Sequence, residues 1–440
     1  MELLPEDLLA AILSRLPACG LASARCVHSS WRALIDSRRL MQLLPLQLAG
    51  IFINFCDHDF SELFARPTPQ GSPKVSGKLH RYMPITDCPN QVDDHCNGLL
   101  LFGCAYVVNP ATRRWTTLPS PPPPRLFGGQ HFHTYEYIAF DPAVSPHYEV
   151  VKVPHLPTKG ENIVDRRVEG WEWPPSPMML QVYSSATNGW EERSFVRQGE
   201  ALGTIADMQA PWPGDQQYAV YWRGHLYVHH NFIMRISLLT GKYQVIKPPQ
   251  SINMGKCPIL RLGKSEKGVY LASIASLRQL QVWILDESCA HAKWVLKHEV
   301  DLEHILARRT YDPEACGSWI MEDVNYHFRS DRFLDYNGQV LPENRFEWDS
   351  DNDDVLDTKD KVDREYNEGI EILGFHPHKE VIFLSESMRR GLAYHLNTSK
   401  LQDMGNMYPT RYECFADPHA LLLFSFPYTP CWTVEFPSHN

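Results

Sequence analysis

The chain has 440 residues, of which 43% are hydrophobic, with 11 cysteines and a formal net charge of −10; that length allows a large core and two domains. The acidic balance argues against nucleic acid as the main partner, because phosphate binding needs a basic face. No apolar run approaches the roughly 20 residues that span a bilayer, acids stand at the N-terminus where a signal peptide is basic, and the cysteines lack paired spacing. The expectation is a soluble, non-secreted protein of the reducing cytoplasm or nucleus, with no membrane partner.

At the N-terminus Leu8, Leu9, Ile12, Leu13 and Leu16 recur at three- and four-residue spacing, which puts them on one side of a helix. Pro5 suits the first turn, and Glu6 and Asp7 suit the positive end of the helix dipole. Pro17 and Gly20 stop it. Leu21, Ala24, Val27, Trp31, Leu34 and Ile35 predict one or two further short helices. Forty residues cannot bury this much apolar surface among themselves. The helices therefore dock either on the following domain, as a cap, or in the groove of a partner protein.

Ile51 to Phe55 reads as a strand, and Thr68 to Lys78 as an exposed loop. From Asn97 onward short β-type runs alternate with turn residues. A weak repeat runs through them: an apolar strand end, a turn containing Thr, then a large apolar residue at Trp115, Trp190, Tyr243 and Leu401, with a looser copy ending at Trp294. Trp190, Tyr243 and Trp294 stand 53 and 51 residues apart; Leu401 follows 107 residues later, so one copy is expected to be degenerate. A period near fifty matches a kelch-type propeller blade, a small antiparallel sheet stacked with its neighbours around an axis. The turn then joins two strands of a blade, and the aromatic packs between blades.

Between Glu343 and Glu368 eleven acids stand against four basic residues, which predicts a solvated insertion. Asp349, Asp351, Asp353, Asp357 and Asp360 invite comparison with an EF-hand loop, but Asp354 stands where that loop needs Gly, and Asp360 where it needs Glu. Cys88, His95, Cys96 and Cys104 crowd together, as do His131 with His133, His229 with His230, and His376 with His378; none has a zinc-site spacing. No P-loop, dinucleotide fingerprint or nucleophile elbow is present. The expectation is no catalytic residue, no metal and no cofactor.

Leu4-Pro5, Ile12-Leu13, Leu16-Pro17, Arg25, Val27 and Trp31 fall at the spacing of the F-box family, which this stretch resembles; His28 departs from its pattern. Tyr137 to Pro142 followed by Tyr148 to Val153, with Asn97 to Leu100 and Asn109 to Thr112, resembles the F-box-associated propeller of many plant F-box proteins. The resemblance implies a multidomain α + all-β chain: a helical F-box over residues 1–45, a linker and first propeller strand over 46–96, and an antiparallel β-propeller of about six to eight blades over 97–440, with the acidic insertion at 343–368. It implies that Leu4, Pro5, Leu8, Ile12, Leu13, Leu16, Val27 and Trp31, with Pro17 shaping the helix end, bind a Skp-type adaptor and through it cullin. The propeller would hold a target protein, making the chain the non-catalytic substrate receptor of an SCF-type ubiquitin ligase. Two other readings stay open: a propeller enzyme or carbohydrate-binding domain with an N-terminal helical cap, and an adaptor-bound scaffold that sends nothing to degradation.

Overall fold

The structure, a computed structural model, describes residues 5–16, 18–38, 40, 47–67, 75–85, 90–103, 105–123, 132–156, 167–208, 218–252, 259–275, 278–288, 292–306, 317–333, 369–412, 421–432, 434 and 436. Three short helices come first: α1 (Glu6–Leu13), α2 (Ala18–Val27) and α3 (Ser29–Ser37). Pro5 precedes α1, with Glu6 and Asp7 in its first turn, as the dipole favours. His28 is the N-cap of α3: its ring accepts from the Ser30 N–H at 3.2 Å, the service Ser or Asp usually performs. The Arg25 guanidinium grips the Asp36 carboxylate at 2.8 and 3.1 Å, tying α2 to α3. Arg38 reaches Asp7 at 2.7 Å and ties the end of α3 to α1.

The rest of the described chain is mainly antiparallel sheet. One four-stranded sheet runs Ile320–Met321, Glu62–Ala65, Gly50–Phe55, Leu422–Tyr428, so an early strand pairs with the last one, Ile51 opposite Pro427 and Ile53 opposite Ser425. A second contains Val92–Cys96, Leu99–Phe102, Tyr106–Asn109 and Arg114–Thr117. An eight-stranded sheet joins two four-strand runs. The first run is His133–Ala139, Glu149–His155, Met178–Ser184 and Gly189–Gln198; the second is Ala219–Trp222, His225–His229, Ile233–Ser237 and Lys242–Ile246. They meet where Val196–Gln198 lies parallel to Lys242–Gln244. Two further four-stranded sheets start at Ile259–Ser265 and at Ile370–Phe375.

The first strands of five runs and the last strand of the chain touch in a circuit: Val92–Cys96, His133–Ala139, Ala219–Trp222, Ile259–Ser265, Ile370–Phe375, Leu422–Tyr428, and back to Val92–Cys96. Several strands near the circuit are covered on both faces. Every residue of Gly50–Phe55 is buried, so that run, apolar but for Asn54, does not alternate. Lys293–Asp301, a fourth strand, has no fully buried residue. The ends of the first strands gather together: Lys264 donates to Asn97 Oδ1 at 2.6 Å and Tyr221 O at 3.4 Å, and the Tyr428 hydroxyl donates to Gly98 O at 3.1 Å. Gly50, opposite Tyr428, brings the chain in from the helices at this same end.

The repeated element is the hairpin between third and fourth strands. Its paired ends are Asn109 and Arg114, Ser184 and Gly189, Ser237 and Lys242, and His395 and Lys400. In each four-residue loop the residue after the Thr is left-handed: Arg113 at φ 55°, Asn188 at 52°, Gly241 at 64° and Ser399 at 55°. The large residue then anchors the hairpin to a neighbouring connection. Trp115 Nε1 donates to Tyr82 O and Trp190 Nε1 to Pro119 O, both at 2.7 Å, and the Tyr243 hydroxyl to Pro175 O at 2.7 Å. The doubled interval before Leu401 does not hold a fourth-strand copy among the described residues; it holds Ile320–Met321 and a helix, Val324–Phe333. Within residues 46–96, Gly50–Phe55 and Glu62–Ala65 are sheet strands, and Asn97-Gly98 forms the turn between Val92–Cys96 and Leu99–Phe102.

Candidate functional site

The N-terminal helices have an interior of their own. Leu13, Leu21, Ala24, Leu34, Ile35 and Leu40 are buried together, with Leu9, Ala10, Leu16 and Trp31 partly buried against them, and no sheet residue belongs to this cluster. Three short helices cannot cover every apolar residue they carry, so some stay outside. Leu8 is 49% exposed, Ile12 46% and Val27 69%. Leu8 and Ile12 are four residues apart and share a face of α1.

The expected adaptor-binding residues therefore divide. Leu8, Ile12, Val27 and Pro5 are exposed; Leu16 and Trp31 are partly buried. Leu13 is 2% exposed and sits inside the helical cluster. Leu4 and Pro17 lie outside the described residues, as do the acidic run 343–368, Cys88, Cys104 and His131. The cap on α3 and the Arg25–Asp36 pair escaped the sequence reading. The Ser-Ser pair after His28 is the local hint of a helix start.

The polar groups near the circuit serve the fold. Arg261 is 4% exposed; its guanidinium lies 3.3 Å from the centre of the Tyr218 ring and donates to Leu373 O and Ser425 O. Burial draws its pKa down to about 10. Asp94 accepts the Ile138 N–H at 2.8 Å, linking two sheets, and burial pushes its carboxyl up to about 8. Burial likewise raises Glu371 to about 7 and lowers His95 and His376 to about 3. The His155 and His230 ring centres lie 4.0 Å apart with the planes tilted by 34°, and desolvation disfavours the charged form of both. Among the described residues no group of three or more His, Cys, Asp or Glu side chains is placed to hold a metal. Among them too, no helix is long and apolar enough to cross a membrane.

Residues 1–43 match the F-box domain family. The chain is 23% identical over 331 residues to F-box protein At5g07610 of Arabidopsis thaliana, covering 69% of this chain and 71% of that protein. Over 129 residues it is 34% identical to putative F-box protein At5g44220, and over 206 residues 26% identical to F-box/kelch-repeat protein At3g61590, both of Arabidopsis thaliana. Those alignments cover 27% and 43% of this chain, and 41% and 45% of the relatives. The solved structure of YjhT aligns at 13% identity over 50% of this chain and 68% of its own, with a TM-score of 0.27, too slight a likeness to carry an argument. The chain thus has an F-box domain at its N-terminus and is similar beyond it to F-box proteins of Arabidopsis thaliana.

Proposed function

We propose that the chain is the target-recognising subunit of an SCF-type ubiquitin ligase. The carrying observation is the exposed apolar surface of α1 and the end of α2, on helices that match the F-box domain and whose buried cluster includes no sheet residue among the described residues. Leu8, Ile12 and Val27, with Leu4 and Pro5, are the contacts for a Skp-type adaptor. Leu13 and Leu21 keep the helices in the shape that presents those contacts. F-box proteins are in general non-catalytic receptors. On this reading the chain breaks no bond: it raises the local concentration of a target near the ubiquitin donor that cullin brings.

Residues 1–45 form the adaptor module, and the sheets from Gly50 onward form a propeller of six blades that holds the target. The circuit of first strands and the four-strand make-up of each run support that architecture. The pairing of Gly50–Phe55 with Leu422–Tyr428 supports closure of the ring by its two ends. The test is co-expression of the full chain with a Skp-type adaptor and recovery of the pair on a tag. Adaptor recovered with the wild type and lost with Leu8→Asp/Ile12→Asp supports the assignment; recovery unchanged by that double substitution removes it.

A further inference from the structure

At the end of the sheets where Gly50 enters, a cleft of about 570 Å³ opens between the sheet of Ala219–Trp222 and the sheet of Ile259–Ser265. That is within the range of sites that take a small ligand or a side chain with its neighbours. Ile284, Leu285 and Val295 are among its lining residues, and Val295 is 41% exposed. On one wall Arg223 stacks over Trp222, 5.3 Å from the ring centre. A two-residue turn holds it there, with Arg223 at φ 46° and Gly224 at φ 81° between the paired residues Trp222 and His225. Lys267 stands on the opposite wall.

Charge decides what fits. Of the two acids of the cleft, Glu287 is paired with a cation and Asp286 is held by its own turn. Asp286 accepts the Ser288 N–H at 3.0 Å. Glu287 accepts the Tyr227 hydroxyl at 2.8 Å and pairs with Arg235 at 3.0 Å. The cations are not so matched: Arg223 has no ion pair among the described residues, and Lys267 comes no nearer than 4.0 Å to Glu380 with its side chain 48% exposed. Trp222 and the exposed Val295, with two cations in the same lining, suit an apolar side chain flanked by a carboxylate. Trp and Arg are also the residues that dominate binding energy at protein interfaces.

We propose that this cleft grips the target through a short segment in which a large apolar side chain stands beside an aspartate or glutamate. The apolar side chain enters between Trp222 and Val295, and the carboxylate meets Arg223 and Lys267. The inference rests on the receptor reading above and supplies the chemistry of its target.

The test pans a phage-displayed library of random peptides on the purified full chain and on the Arg223→Glu/Lys267→Glu variant. Both substituted side chains are at the surface, and equal melting temperatures confirm that the variant is folded. Expected are enriched peptides that place an acid next to a large apolar residue, with fluorescence-polarisation affinities at least tenfold weaker for the variant and restored by Arg223→Lys/Lys267→Arg. Raising the salt concentration weakens binding to the wild type as well. Peptides without acids, equal affinity for the two proteins, or no enrichment overturn the proposal. Adaptor recovery is measured on the same preparations. If the adaptor is recovered and peptides ignore the cleft, the cleft proposal fails alone; if peptides bind the cleft and no adaptor is recovered, the receptor reading fails alone.

Discussion

Ile12 and Leu13 are neighbours in the chain, about 100° apart around α1, yet the first is 46% exposed and the second 2%. Substituting them separates partner contact from folding. Ile12→Asp leaves the helical interior intact, so limited proteolysis of residues 5–40 is unchanged while adaptor recovery falls. Covering an Ile is worth about 1.5–3 kcal/mol, a tenfold loss of affinity or more. Leu13→Ala empties a core position at a cost of about 2–5 kcal/mol and exposes the same segment to protease. Equal protease resistance of the two variants counts against the assignment of interior and surface.

Asp94 gives a pH signature. Its folded pKa of about 8 lies above the ordinary carboxylate value because burial outweighs the Ile138 N–H bond. A raised acid stabilises the fold fully below its unfolded pKa of about 4, and that contribution drains away as pH rises through about 8. Asp94→Asn cannot ionise, so urea midpoints taken from pH 5 to 9 fall less steeply for the variant than for the wild type. Glu371, raised to about 7, slopes the same way in both proteins. His95 and His376, lowered to about 3, act oppositely: their contribution holds above about pH 6.5 and is lost as pH falls toward 3. Identical slopes for variant and wild type would dismiss the buried Asp94 charge as the cause.

The left-handed turn residues predict substitutions of both signs. Arg113 and Ser399 hold φ near 55° with a side chain attached, which costs about 1 kcal/mol. Arg113→Gly or Ser399→Gly should raise stability by at most that amount, since glycine also loses more freedom on folding. Gly241→Val runs the other way, because its φ is 64° and an added Cβ would stand 3.1 Å from Ser194 O. Chemical denaturation of the three variants ranks them; a stable Gly241→Val would refute the turn assignment.

Removing the two ends of the chain should have unequal effects. A chain of residues 47–440 keeps every sheet pairing described above, and its melting temperature should match that of the full chain. A chain ending at residue 420 leaves Ile51 and Ile53 without their partners Pro427 and Ser425 and bares Phe52 and Phe55, both 0% exposed in the full chain. Loss of the cooperative melt is expected. A normal melt in the shortened chain would show that closure contributes nothing.

Local pattern carried much of the fold. The Thr turns and the spacing of Trp190, Tyr243 and Trp294 pointed to the hairpins because each hairpin is made of adjacent residues. Pairing of Gly50–Phe55 with Leu422–Tyr428 left no such trace, since its partners lie at opposite ends of the sequence. The same limit hid the cleft, which brings Arg223 beside Lys267 and Val295 from another sheet. On α1 the spacing marked the apolar face, but which part turns inward depends on how α2 and α3 lean on it. Leu13 and Ile12 could not be told apart until that packing was seen.

Because the first strand is clasped by the last, translation order matters. The helices leave the ribosome early with a complete interior of their own, while Gly50–Phe55 waits for residues 422–428 to be synthesised. On the proposed function, a message truncated anywhere in between would yield a product that still occupies adaptor molecules and presents no finished target site, and such a fragment would act in cells as a dominant competitor of the intact protein.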